Sequence, residues 1–171
     1  MITKEMEIDM PKGMTIDRTT DSDMDYIQSC IRRSVELSVS GIERDMSHLW
    51  IDMILATTLE SIESCRMGDE IFILRDKEGT YVGSLWMGES VDQFTYDGTG
   101  YILGIFVEPE FRRYGIGSYL LSVAESWCRD KGFLNISLNV GWYNEGARLF
   151  YESHGYKVRS EVRRKDLYPT L

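Results

Sequence analysis

The chain has 171 residues, 43% of them apolar and 12% aromatic, which suffices for a packed interior and excludes a disordered chain. A formal net charge of −9 excludes broad nucleic-acid binding, because the phosphate backbone would be repelled. No apolar run reaches a membrane span, no signal-like core opens the chain, and Cys30, Cys65 and Cys128 fit neither a zinc pattern nor a disulfide framework.

These features predict a cytoplasmic protein without metal or membrane contact, read as one domain over residues 1–171. The first dozen residues are a leader or an edge strand. Asp21-Ser22-Asp23 offers side-chain oxygens to the first turn of a helix carrying Ile27, Ile31 and Val35. A second amphipathic helix is predicted over 47–66. IFIL (71–74) and TYVGSLWM (80–87) read as a hairpin across the turn residues DKEG.

A polar loop (88–100) leads to YILGIFV (101–107), apolar throughout as in a strand covered on both faces, and Pro109 stops it. Ile116, Tyr119, Leu120, Val123, Ala124, Trp127 and Cys128 form a helix stripe, closed by Lys131-Gly132. FLNISLNV (133–140) alternates as a strand. Asn144 caps a short helix that runs to His154 and Gly155, and VRSEVRRKDLYPTL is predicted to add a last strand. The order describes an α/β domain with a mixed sheet flanked by helices.

The loop FRRYGIG (111–117) joins a buried strand to a helix N-terminus. First-turn amides lack intrahelical acceptors there, the macrodipole is positive, and glycine lets a ligand approach the main chain. That suits an anion. A P-loop is excluded because no lysine follows either glycine, and a dinucleotide fingerprint because Leu120 replaces its third glycine.

Arg112-Arg113-Tyr114-Gly115-Ile116-Gly117 instead fits [R/Q]-x-x-G-x-[G/A], and Asn144, Ala147 and Tyr151 fit N-x-x-A-x-x-x-Y, followed by Gly155-Tyr156. With TIDRTTDSDMDYI (15–27), these motifs cover most of the chain, which resembles the GNAT superfamily of N-acetyltransferases.

The resemblance implies two splayed parallel strands, 101–107 and 133–140, holding acetyl-CoA in their gap. Backbone groups of Ile105, Phe106 and Val107 would pair with the pantetheine arm, one amide also polarising the thioester carbonyl. The amides from Arg113 through Tyr114, Gly115, Ile116 and Gly117 to Ser118 would hold the pyrophosphate, aided by the charge of Arg112 and Arg113. Asn144 would meet the cofactor, as well as serving as a helix cap. Tyr151 would protonate the departing thiolate.

The implied reaction is direct transfer of acetyl to a primary amine of a small molecule or peptide, in a ternary complex. The alternative is a non-catalytic CoA-binding or interaction module on the same fold. The general base is open. Tyr101 and Asn139 stand where family members can carry a glutamate, and Glu89, Asp92, Asp97 and Glu108 are unassigned candidates. His48 and His154 read as surface residues. Acidic residues at 36–46 and 89–97 would suit a cationic acceptor, although solubility explains them equally. The family's habit of dimerising through its sheets would make the last strand a homodimer element.

Overall fold

The computed structural model describes residues 9–39, 53, 56, 69–163 and 165. Its strands are β1 (Met14–Arg18), β2 (Glu70–Asp76), β3 (Tyr81–Val91), β4 (Gly98–Val107) and β5 (Ile136–Leu138). They form one five-stranded sheet in chain order, antiparallel except for the parallel β4–β5 pair. Its helices are α1 (Met24–Ser38), α2 (Ile116–Asp130) and α3 (Glu145–Ser153). Of the helix predicted over 47–66, Met53 and Ala56 are described, both helical; its other residues lie outside the described ones.

The stripe of α2 buries Ile116, Leu120, Leu121 and Ala124 against Leu74, Val82, Leu85, Met87 and Ile102. Gly132, at φ +80°, ends that helix as its position predicts. On the opposite face α1 buries Ile27 and Cys30. No helix among the described residues is long and apolar enough to cross a membrane.

Four expectations are corrected. Asp21–Asp23 is a 3₁₀ turn before α1, and the Asp23 side chain does not cap the helix. It is buried, accepting from the Thr20 amide (2.9 Å) and the Tyr81 hydroxyl (2.9 Å) and pairing with Arg75. The 88–100 loop shrinks to 92–97, because Gly88 to Val91 continue the ladder against Tyr101 to Gly98. The strand predicted over 133–140 is only Ile136–Leu138, because its partner leaves the ladder after Ile102. No strand follows α3 among the described residues: Val158 and Val162 meet no apolar face and are 74% and 98% exposed.

Candidate active site

Two irregularities in β4 make the site. Trp86 pairs with Gly104 and Met87 with Ile102, so Leu103 is an extra residue, a bulge. On the other edge β5 pairs only with Gly100 to Ile102. Beyond the bulge the two parallel strands separate. The run read as covered on both faces is therefore exposed at Leu103 and Gly104.

The Glu108 amide donates to the Val82 carbonyl (2.9 Å). Antiparallel alternation then turns the backbone of Phe106 toward β3, and that of Ile105 and Val107 toward the gap. Of the three residues expected to meet pantetheine, these two face the open edge. The side chain of Phe106 is buried, with the Arg33 guanidinium 4.3 Å from its ring centre.

The gap ends at the glycine loop. Gly115 caps α2 at φ +80° and Arg113 sits at φ +70°. Both lie in the left-handed region, which curls the chain so that the amides of Ile116, Gly117 and Ser118 start the helix together. Tyr114 and Arg113 are exposed. Arg112 folds back, its Nε donating to the Val107 carbonyl at 2.9 Å.

α3 clamps this loop. A Cβ on Gly117 would lie 3.3 Å from two atoms of the Phe150 ring. His154 Nδ1 is 2.8 Å from the Phe150 carbonyl, which can only accept, so Nδ1 carries a proton. Its Nε2 is 2.8 Å from Ser118 Oγ. His154, read from sequence as a surface residue, therefore ties α3 to the first turn of α2. Only the fold brings these residues, 36 apart in the chain, together.

Asn144 caps α3, its Oδ1 accepting from the Ala147 amide at 3.2 Å. Tyr151, one turn before His154, packs against the core between Phe150 and Tyr156. Burial pushes its hydroxyl up to about 12, so it is protonated at neutral pH. Sequence reasoning also missed Gly141. A Cβ there would lie 2.7 Å from the Ser38 carbonyl oxygen, so the last turn of α1 bridges to the segment beyond β5.

The candidate bases fall apart spatially. Glu108 is held by the two terminal guanidinium nitrogens of Arg33 at 2.7 Å, and that contact first of all keeps its carboxyl below the usual range. Asp92 accepts from the Phe94 and Thr95 amides and meets Arg159 at 3.4 Å. Glu89 pairs with Lys131 at 3.1 Å, and Asp97 is exposed in the 92–97 loop. The acidic 89–97 stretch is thus partly neutralised by Lys131 and Arg159. Of the 36–46 acids Glu36 is described, lining a cleft of about 310 Å³ with Arg33, Leu37, Phe106 and Arg112; Glu43 and Asp45 lie outside the described residues. Burial raises the Cys30 thiol, and raises Cys128 to about 11, which makes neither a ready nucleophile. His48 and Cys65 also lie outside the described residues.

Residues 42–156 match the family model described as the acetyltransferase (GNAT) family. The chain belongs to this family. GNAT members use acetyl-CoA. A putative acetyl transferase from Pyrococcus furiosus is 26% identical, with a TM-score of 0.72 over 90% of this chain and 99% of that one. AAC(6')-Iy, solved with the bisubstrate analog CoA-S-monomethyl-acetylneamine, shares the fold at 17% identity and a TM-score of 0.59, over 91% of this chain and 99% of that one. The mycothiol acetyltransferase of Propionibacterium freudenreichii is 25% identical over 88% of this chain and 45% of its own. The chain thus spans about half the length of that relative.

Proposed function

We propose that the protein is a cytoplasmic acetyl-CoA-dependent N-acetyltransferase acting on a primary amine of a small molecule or peptide, by direct transfer in a ternary complex. The observation that carries this reading is the open edge of β4. It presents backbone groups of Ile105 and Val107 to the gap and leads to the amides at the start of α2.

The residues fit the cofactor. Ile105 and Val107 would hold the pantetheine arm, and the amides from Arg113 to Ser118 the pyrophosphate, with Asn144 beside them. Bound acetyl-CoA supplies a thioester whose carbonyl carbon accepts nitrogen and whose sulfur departs. An amide of Ile105 or Val107 would stabilise charge on the carbonyl oxygen. Tyr151 carries its proton at neutral pH and would supply it, as a hydrogen bond, to the leaving sulfur. Its raised pKa makes it a reluctant acid, so hydrogen bonding precedes full transfer. AAC(6')-Iy, of the same fold, was solved with a bisubstrate analog, which supports a ternary route without fixing the acceptor.

The test is release of free CoA thiol from acetyl-CoA across polyamines, aminoglycosides, amino acids and peptides. Selective turnover of one amine class is expected, with Tyr151→Phe reducing kcat about 10²-fold at unchanged acetyl-CoA affinity. Tight acetyl-CoA binding without turnover of any amine would favour the non-catalytic module.

A further inference from the structure

We propose that Asp69 is the proton acceptor for the incoming amine and that, with Trp86 and Tyr101, it forms the subsite for an alkylammonium group. The inference rests on the acetyl-transfer reading above and supplies its missing base.

An alkylammonium with a pKa of ~10.4 must lose a proton before its nitrogen can attack, and at neutral pH that costs roughly 4–5 kcal/mol without a base. Most carboxylates near the sheet are already committed. Arg33 clamps Glu108, Arg75 pairs with Asp23, and Glu70 accepts from Arg18 (2.9 Å) and from the Trp127 indole (3.2 Å). Asp69 differs. Its hydrogen-bond partner among the described residues is the Trp86 indole, whose Nε1 donates at 3.3 Å.

The placement follows from a missing side chain. A Cβ on Gly88 would collide with Asp69 Oδ1 and lie 2.8 Å from its Cγ, so the carboxylate occupies the room that glycine leaves. Gly88 stands opposite Tyr101, and Trp86 opposite Gly104. Because β3 alternates, Trp86 and Gly88 share the face of Ser84, and Phe106 opposite Ser84 lies under α1. Carboxylate, indole and phenol thus gather on one face, beside the bulge where β4 turns toward the gap. Opposed residues have Cβ atoms about 4.5–5.5 Å apart, so Asp69 stands roughly one such spacing from the Tyr101 stem.

Gly104 is exposed, and no described atom lies within 4 Å of a Cβ built there, which leaves room on the same strand pair. A carboxylate beside an indole and a phenol suits an alkylammonium by ion pairing and cation–π attraction. The charged groups facing Asp69 favour a cation too. Arg18, Asp21 and Glu70 line a cleft of about 240 Å³ with it, one base against two further acids. Burial also raises the Asp69 carboxyl above its usual range against the Trp86 hydrogen bond, which makes it a better proton acceptor than a surface aspartate. In the step itself one N–H bond of the ammonium breaks, its electron pair stays on nitrogen, and the Asp69 oxygen gains the proton and later releases it to water.

Asp69→Asn tests this, because it keeps the shape and an acceptor for Trp86. With an amine that is turned over, wild-type kcat/KM is expected to be flat from the pH at which Asp69 has ionised up to about pH 9, below the ammonium pKa of ~10.4. Asp69→Asn can use only free amine, so its kcat/KM should rise about tenfold per pH unit. At pH 7 it should be down 10²–10³-fold, with acetyl-CoA affinity unchanged. Trp86→Phe removes the hydrogen bond that lowers the Asp69 pKa, so its acid limb should move to higher pH. Calorimetric titration of spermidine into the CoA complex is a readout independent of turnover, and Asp69→Asn should weaken binding at least tenfold.

A flat Asp69→Asn profile at wild-type rate would overturn the inference and leave the acetyltransferase reading standing. A wild type that turns over no amine defeats that reading. Spermidine binding that depends on Asp69 would then still support the ammonium subsite, and its absence would overturn it.

Discussion

At Gly115 the constraint is the backbone. Its φ is +80°, and no described atom lies within 4 Å of a Cβ there. Gly115→Ala is therefore expected to cost about 1 kcal/mol through strain alone, and to weaken CoA binding by distorting the α2 amides. Gly117 is limited instead by the Phe150 ring, 3.3 Å from a Cβ. Alanine there should be nearly neutral in a thermal melt. Valine should displace Phe150, and with it the helix carrying Tyr151 and His154, lowering turnover more than stability. A third glycine shows contact of another kind: a Cβ on Gly100 would run into Cys128 Sγ and lie 3.3 Å from its Cβ. Gly100→Ala should cost about 1–3 kcal/mol of overpacking, and adding Cys128→Ala should recover part of it. Denaturant melts of the two single variants and the double variant would show that coupling, and strict additivity would sink it.

Between elements, the Arg33–Glu108 pair fastens α1 to the end of β4, next to the gap. Arg33 is partly exposed, so Glu108→Gln is expected to cost only about 1–2 kcal/mol. The folded pKa of Glu108 is lowered, so its contribution is fully present above the unfolded value near 4.3 and is lost as pH falls through the folded one. The stability difference between wild type and Glu108→Gln should therefore shrink below about pH 4, as urea melts would show. The helices α1, α2 and α3, the hairpin and the glycine loop were legible in the sequence because periodicity and turn residues are local. The short β5, the bulge at Leu103 and the unformed strand at Val158 and Val162 were not, since pairing depends on what the neighbouring strand does. Asp69 and His154 were invisible for a related reason. The place of Asp69 depends on the absent side chain of Gly88, one strand away, and that of His154 on Ser118 in another helix.

Across the whole molecule, a net charge of −9 opposes the binding of an anionic cofactor and favours a cationic acceptor. The α2 N-terminus and the nearby arginines attract phosphate only at short range. Salt decides which effect dominates. At 0.15 M the Debye length is about 8 Å, so a phosphate entering the loop responds mainly to charges beside it; at 0.01 M it is about 30 Å, and the whole acidic surface is felt. The two substrates should therefore respond oppositely. Lowering the ionic strength should slow association of CoA, whereas association of a polyamine with the CoA complex should accelerate. Stopped-flow fluorescence between 0.01 and 0.3 M salt would measure both rates. Acceleration of both at low salt would mean that the basic loop outweighs the net charge for the anion even at long range. Slowing of both would remove the electrostatic argument for a cationic acceptor, because a neutral or anionic acceptor is what such a surface would then be built to receive.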